Sequence, residues 1–174
     1  LELGGNNAII ISKEADLDIA LIASVFGAVG TAGQRCTSTR RLIIHESIYE
    51  TFKEKLVKAY GQLKIGDPLD ETQHIGPLID TAAVKAYLEA IDRCKAEGGK
   101  FVVEGAVLEG ETFASGRYVK PCIAEVKPHY SIVQHETFAP ILYLMSYNSI
   151  EEAIFIQNNV PQGLSSSIMT LNIR

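Results

Sequence analysis

The sequence predicts an α/β domain with a mostly parallel sheet and flanking helices. Short apolar runs alternate along the chain with amphipathic helical patterns of about 10–16 residues. Glycine and proline turns separate these segments, and the sequence shows no internal repeat. The 174 residues, of which 47% are hydrophobic and 21% charged, suffice for one domain with a hydrophobic core.

The predicted strands are the apolar runs that lie between turn signals. They are expected over residues 8–11, 41–45, 101–103, 118–126, 141–147 and 164–171. Pro121 lacks a backbone N–H, so it places its strand near a sheet edge or at a bulge. The polar, glycine-rich residues 104–116 predict a loop or the tip of a hairpin.

The predicted helices have apolar residues recurring every three or four positions. They are expected over residues 17–31, 48–63, 82–97 and 150–158. Asp16 is expected to cap the first helix and Thr81 the third, because both side chains can accept a hydrogen bond from a free backbone N–H. Ser149, with Glu152 three residues later, predicts a capping box for the fourth.

Three glycines at spacing three, Gly27, Gly30 and Gly33, follow the first helical pattern. Their spacing differs from the dinucleotide-binding fingerprint, and they follow a helix where the fingerprint follows a strand. We therefore interpret them as positions of close packing or of helix termination.

Charge and composition narrow the classes of partner. The net charge of −5 and the pI of about 5.4 argue against nucleic acid or an anionic membrane as the main partner. No apolar run approaches the roughly 20 residues that span a bilayer. Three cysteines without paired spacing predict neither a disulfide framework nor a metal site, and they favour a reducing compartment. We expect the cytoplasm, with the mitochondrion as the alternative.

Cys36 is the candidate nucleophile, because it lies in a predicted loop with small residues before it and Arg35 beside it. A neighbouring positive charge favours the reactive thiolate. The alternative is that Cys36 is a small buried hydrophobic residue, as most lone cysteines are. Cys94, in a predicted helix, and Cys122, in a predicted strand, are interpreted as structural.

Two glutamates are candidate functional groups, although either could be an ordinary surface residue. Glu2 precedes a Gly-Gly turn and could act as a general base if the fold brings it near Cys36. Glu136 lies just before a predicted strand, where loops often form sites. The four histidines have no metal-ligand spacing, but one of them beside Cys36 would suit a Cys–His hydrolase.

Three segments together resemble the aldehyde dehydrogenase superfamily. They are Glu2-Leu3-Gly4-Gly5, then Gly33-Gln34-Arg35-Cys36-Thr37, then Glu136-Thr137-Phe138-Ala139-Pro140. Cys36 lies 34 positions after Glu2, and Glu136 lies 100 positions after Cys36. The order and separations are similar to those of the family's catalytic domain, and the similarity runs over all 174 residues.

The resemblance implies catalytic roles for Cys36 and Glu2. Cys36 would attack an aldehyde carbon, and Glu2 would activate the water that hydrolyses the resulting thioester. It also implies that Glu136, Phe138 and Gly4 contribute to binding NAD, with NADP as the alternative cofactor. The dinucleotide-binding domain of the family is absent from this sequence, so we expect these 174 residues to be a catalytic-domain fragment that oxidises no aldehyde alone.

The resemblance further implies a small-molecule aldehyde as substrate and a homo-oligomer, tetramer or dimer, for the full-length protein. The sequences of residues 5–8, 35–42 and 158–168 most resemble those of a subfamily that acts on α-aminoadipic semialdehyde, an intermediate of lysine catabolism. Arg35 and Thr37 would then bind substrate, because a guanidinium pairs well with a carboxylate. The competing interpretation is that Arg35 pairs with an internal carboxylate.

Two other functions remain open from the residues. One is a cofactor-independent cysteine hydrolase or acyltransferase that uses Cys36 with Glu2, which NADH formation would exclude. The other is a non-catalytic, crystallin-like structural protein, which the intact set of Cys36, Glu2 and Glu136 argues against.

Overall fold

The computed structural model describes residues 4–172. Within this range the chain forms four α-helices and eight strands. The helices are α1 (Leu17–Val29), α2 (Tyr49–Tyr60), α3 (Thr81–Ala96) and α4 (Ile150–Asn158). The strands are β1 (Asn7–Ile11), β2 (Thr39–His45), β3 (Lys100–Val103), β4 (Ala106–Val107), β5 (Val119–Lys120), β6 (Cys122–Glu125), β7 (Ile141–Tyr147) and β8 (Ser166–Met169).

Six of the described strands form one sheet in the order β3-β6-β7-β2-β1-β8. Every neighbouring pair is parallel except β3 and β6, which are antiparallel. The predicted α/β class with a mostly parallel sheet is therefore confirmed. The central strands β1, β2 and β7 are almost wholly buried, as their continuous apolar sequences require when helices cover both faces of a parallel sheet.

The helices begin where capping side chains satisfy their first N–H groups. Asp16 accepts hydrogen bonds from the N–H groups of Asp18 and Ile19, and Ser149 accepts one from Glu152, as predicted. The predicted cap at Thr81 is wrong: Asp80 accepts the hydrogen bond from Ala83, and Thr81 is the first helical residue. The carboxylate accepts more strongly than a hydroxyl, which explains the shift by one position.

Proline and glycine modify the strands that follow α3. Pro121 divides the predicted strand over 118–126 into β5 and β6, since it cannot donate to a ladder. β5 instead pairs antiparallel with β4, so residues 104–116 include one arm of a small hairpin. The last strand, β8, is shorter than the predicted 164–171 and lies at the sheet edge.

The sheet topology brings separate sequence segments to one place. Because β8, β1, β2 and β7 are parallel neighbours, the segments that precede them all lie at their amino ends. These are the Gly4-Gly5 segment before β1, the cysteine loop (Gln34–Ser38) before β2, and residues 135–140 before β7. Residues 161–165 precede β8 at the same edge. The fold thus brings the Gly4-Gly5 segment, the cysteine loop and residues 135–140 to one edge of the sheet.

In the described range, no helix is both long and apolar enough to cross a membrane.

Candidate active site

Two glycines hold the three motif segments in direct contact. A Cβ at Gly5 would overlap the carbonyl oxygen of Cys36, and a Cβ at Gly4 would overlap the carboxylate of Glu136. Gly4 also has a φ of +74°, which side-chain-bearing residues rarely adopt. Residues far apart in sequence are therefore neighbours here, as the resemblance predicts. Glu2, the candidate base, lies outside the described residues.

The glycines after α1 serve packing. Gly33, with a φ of +70°, lies against the peptide between Ala139 and Pro140, so the cysteine loop packs on the segment that carries Glu136. Gly27 lies against the side chain of Thr39, and α1 ends at Val29. The interpretation of these glycines as positions of close packing and helix termination is confirmed.

A buried asparagine fixes the backbone of the cysteine loop. Asn7 donates from Nδ2 to the carbonyl oxygens of Cys36 at 2.7 Å and Ser38 at 2.9 Å. Its Oδ1 accepts from the backbone N–H of Ser165 at 2.9 Å. A turn bond from Ser38 N–H to the Arg35 carbonyl, 3.0 Å long, closes the loop around Cys36. The position of the thiol is therefore set by an almost fully buried amide, which the sequence did not single out.

The chain enters the cysteine loop through strained backbone. Thr31 and Ala32 both have a φ of +53°, an uncommon conformation that costs about 1–3 kcal/mol per residue. Gln34 secures this segment: its Nε2 donates to the carbonyls of Thr31 and Pro77, and its Oε1 accepts from Ile79 N–H at 2.8 Å. Such strain persists only where the surroundings over-determine it, as they do beside Cys36.

The three cysteines have different environments. Cys36 is partly exposed, whereas Cys94 and Cys122 are 0% exposed. Burial raises the pKa of Cys94 to about 11 and that of Cys122 to about 12, so both are neutral thiols at pH 7. The structural interpretation of Cys94 and Cys122 agrees with these surroundings. Cys36 is the accessible thiol of the described residues.

Glu136 and Phe138 border an open cavity of about 580 Å³, together with Gly4. The Glu136 side chain is 19% exposed and Phe138 is 41% exposed. A carboxylate suits hydroxyl donors of a ribose, and an exposed aromatic face suits a planar ring. The missing side chain at Gly4 makes room for the carboxylate itself. These residues fit the nicotinamide end of a dinucleotide.

Arg40 is a site residue that the sequence reasoning missed. It is 3% exposed, and it donates from Nη1 to the Ser38 carbonyl at 2.9 Å and from Nη2 to the Arg35 carbonyl at 3.3 Å. Nη2 also lies 3.1 Å from Oε1 of Glu136, an ion pair, and the guanidinium stands 5.2 Å from the centre of the Phe138 ring. Burial lowers the pKa of Arg40, and the charges of Glu136 and Cys36 oppose this effect.

Arg41, the next residue, is 1% exposed and was also missed. It donates to Asn6, Ile156 and Gln157 carbonyls at distances between 2.6 and 3.1 Å, closing the C-terminal end of α4 onto the segment before β1. Burial lowers its pKa to about 10, which leaves it charged at pH 7. The sequence did contain a signal for both residues, because two adjacent arginines lie near the start of a strand that is otherwise apolar. Arginines buried in such a strand need hydrogen-bond or ion-pair partners, which indicates a structural or functional role.

The two predicted substrate-binding residues lie in the cysteine loop. Thr37 is exposed at its turn. The Arg35 guanidinium lies 5.1 Å from the centre of the Phe26 ring and donates to the Phe26 carbonyl at 3.4 Å, near the end of α1. No carboxylate of residues 4–172 forms an ion pair with Arg35, so the alternative of an internal partner finds no support there.

The histidines lie in other contacts. His45 accepts from Ser47 N–H, His74 accepts from Lys64 N–H, and His129 packs on Tyr130. His135 borders the cavity beside Glu136. Over residues 4–172, no hydrogen bond joins a histidine to Cys36, and no cluster of three His, Cys, Asp or Glu residues has metal-site geometry. A Cys–His pair is therefore not present in this part of the chain.

The chain matches the model of the aldehyde dehydrogenase family over residues 1–174. It is 49% identical to aldehyde dehydrogenase family 7 member A1 of Pisum sativum, covering 98% of this chain and 33% of the pea protein. It is 47% identical to the α-aminoadipic semialdehyde dehydrogenase of Bos taurus, covering 98% of this chain and 31% of the bovine protein. The chain thus spans about a third of the length of these curated relatives.

Two solved structures superpose closely on this chain. Betaine aldehyde dehydrogenase from Staphylococcus aureus, in complex with NAD+, gives a TM-score of 0.95 at 28% identity, over 98% of this chain and 34% of that one. PnpE, in complex with nicotinamide adenine dinucleotide, gives a TM-score of 0.96 at 33% identity, over 99% of this chain and 36% of that one.

Proposed function

Because the chain belongs to the aldehyde dehydrogenase family, we propose that it is the catalytic part of an NAD-dependent enzyme that oxidises an aldehyde to a carboxylate. NADP is the alternative cofactor. The observation that carries the proposal is the contact of the Cys36 loop with the Glu136 segment at one edge of the sheet, through Gly33 and Arg40. A partly exposed thiol, on a loop that packs against the segment whose carboxylate and aromatic ring border a cavity, suits this chemistry.

In this proposal Cys36, as thiolate, attacks the carbonyl carbon of the aldehyde and forms a thiohemiacetal. The carbonyl oxygen becomes an oxyanion and needs hydrogen-bond donors aimed at it. The backbone N–H of Cys36 is available, since it has no hydrogen-bond acceptor among residues 4–172. Asn7 keeps the loop in place by binding the Cys36 carbonyl, so the donor does not have to be ordered during the reaction.

Glu136, Phe138 and Gly4 would hold the nicotinamide half of the cofactor. The Glu136 carboxylate would accept hydrogen bonds from ribose hydroxyls, and Phe138 would pack on the nicotinamide ring. When bound, NAD serves as the acceptor of the two electrons that the aldehyde carbon loses. A thioester on Cys36 is then the group to be hydrolysed, and Glu2 would take the proton from the attacking water.

We further propose that the substrate carries a carboxylate, as α-aminoadipic semialdehyde does. The chain is 47% identical to the α-aminoadipic semialdehyde dehydrogenase of Bos taurus, which supports this proposal. Arg35 and Thr37 would contact it. In this proposal the protein would belong to the antiquitin branch and would act in lysine catabolism. The rest of a longer protein would supply the dinucleotide-binding domain and the surfaces of a homotetramer or dimer, in the cytoplasm or the mitochondrion.

Substitution of the candidate base tests the proposed chemistry. In the full-length protein, Glu2→Gln should stop the reaction after the first turnover, because the amide cannot take a proton from water. One equivalent of NADH and an acyl adduct on Cys36 should accumulate, as measured by absorbance and by mass spectrometry of the intact protein.

Glu109→Gln, an exposed change in the hairpin region, is the matched control and should turn over normally. Normal turnover of the Glu2→Gln protein would move the base to another residue. A wild-type protein that forms no NADH with any aldehyde would refute the proposed function itself.

A further inference from the structure

A β-bulge places Arg40 where the motif segments meet. In the pairing of β1 with β2, Asn7 stands opposite Thr39 and Ala8 opposite Arg41, so Arg40 is an extra residue in the ladder. A bulge changes the direction in which side chains leave a strand and is common beside functional sites. Its consequence is visible in the contacts: Thr39 lies against α1 at Gly27, Arg41 reaches the end of α4, and Arg40 reaches Glu136.

The contacts of Arg40 join parts of the site that belong to different segments. Its carbonyl acceptors, Arg35 and Ser38, flank Cys36 within the cysteine loop. Its ion-pair partner Glu136 and its ring partner Phe138 belong to the segment before β7. A nearly buried guanidinium with a planar, fixed array of donors is suited to hold two segments in one mutual geometry.

The two oxygens of Glu136 have different neighbours. Oε1 is buried and lies 3.1 Å from Arg40 Nη2, whereas Oε2 lies on the side of Gly4, which borders the cavity. The contact with Arg40 holds Oε1 in place and thereby sets the direction of Oε2. Of the ion pairs among residues 4–172, this is the only one that involves Glu136. Without it, this partly buried carboxylate would have no counter-ion within the described residues.

We propose, building on the function proposed above, that Arg40 is a positioning residue that fixes the cofactor-holding carboxylate of Glu136 relative to the Cys36 loop. Arg40 itself touches neither substrate nor cofactor. It acts through Glu136, whose orientation it sets for the hydroxyl groups of the nicotinamide ribose, and through the Ser38 and Arg35 carbonyls, which hold the loop at a fixed distance.

Binding of NAD to the full-length protein tests this role directly. Arg40→Gln should weaken NAD binding about 10-fold in isothermal titration calorimetry, because Glu136 loses its only charged partner among the described residues. The KM for NAD should rise with it, while the KM for the aldehyde changes much less. Arg40→Lys, which keeps the charge but not the planar donor array, should recover part of the loss.

A double-mutant cycle separates positioning from general loss of structure. If Arg40 acts through Glu136, then Arg40→Gln should cause little further loss of NAD affinity in a protein that already carries Glu136→Gln. Lys53→Gln is the matched control, because it breaks an ion pair of 2.8 Å with Glu125 outside the site and should leave NAD affinity unchanged.

Three results would overturn the proposal: an unchanged NAD affinity in Arg40→Gln, effects of the two substitutions that simply add, or an equal loss in Lys53→Gln. If Arg40→Gln does not fold, Arg40→Lys with and without Glu136→Gln gives the same cycle. Any of these failures in a protein that still forms NADH from an aldehyde leaves the proposed function standing. Absence of NADH formation in the wild type would instead remove the function on which the proposal is built.

Discussion

The two edges of the parallel sheet differ in what they offer. At the amino ends of β1, β2 and β7 lie Cys36, Glu136 and a cavity of about 580 Å³. At the carboxyl ends lies a smaller cavity of about 380 Å³, bordered by residues such as His45 and Tyr147. Open α/β sheets usually bind ligands at the carboxyl ends of their strands. In this chain the motif residues instead gather at the amino ends.

The local backbone explains the difference between the edges. At the amino ends, the segments that precede β1, β2 and β7 pack against one another through glycines that leave room for neighbouring backbone and side chains. The bulge at Arg40 directs that side chain toward the same place. Where segments leave β1 and β7, they lead into α1 and α4, and the Asp16 and Ser149 side chains accept hydrogen bonds from the first N–H groups of those helices. The amino-end edge of a sheet can therefore form a site when the segments that precede its strands pack closely against one another.

The largest expected difference between the edges is in turnover. Cys36→Ser in the full-length protein should lower kcat by a factor on the order of 10⁴–10⁶, because a hydroxyl in the same place is a far weaker nucleophile. His45→Gln is the matched change at the carboxyl edge, since His45 is the group there best suited to acid–base chemistry. It should keep near-normal kcat in a steady-state NADH assay. The opposite pattern would place the chemistry at the carboxyl edge.

A smaller effect is expected on folding, and it concerns the buried Arg41 at the amino end of β2. Arg41→Met should lower the free energy of unfolding by about 3–5 kcal/mol, because it leaves two buried carbonyls, of Asn6 and Ile156, and the part-buried carbonyl of Gln157 without this donor. Urea unfolding of the full-length protein measures this. Arg93→Met, an exposed change on α3, should shift it by less than about 0.5 kcal/mol. Similar values for both would show that the Arg41 contacts add nothing net.

The elements could be predicted from the sequence because their signals are local. The pattern of apolar residues predicted β7 and α4 with the bounds that the structure shows. The capping residue Asp16 predicted the start of α1. The cap at Asp80 was missed because two adjacent polar residues competed for one position, and only the backbone conformation decides between them. Pro121 was expected near a sheet edge or at a bulge, whereas it lies between β5 and β6 and divides the single predicted strand into two.

The site was predictable only in part, for a different physical reason. Cys36 and Glu136 belong to motifs that stay recognisable in a sequence, and parallel pairing then brings the motifs together. Arg40, Arg41 and Asn7 act through contacts with backbone carbonyls 2 to 116 positions away, which leave no spacing pattern in the chain. The register shift that directs Arg40 toward Glu136 is likewise a property of two paired strands and not of either sequence alone.

The smallest of these effects concerns which edge receives the charged end of the substrate. Arg35→Ala should raise the KM about 10-fold for an aldehyde that carries a carboxylate and much less for an uncharged one, since a partly exposed charge pair contributes modestly. Lys13→Ala removes a cation with 60% side-chain exposure at the carboxyl edge and should change neither KM. Equal rises for both aldehydes in Arg35→Ala would remove its substrate role. A selective rise in Lys13→Ala would place the carboxylate of the substrate at the carboxyl edge.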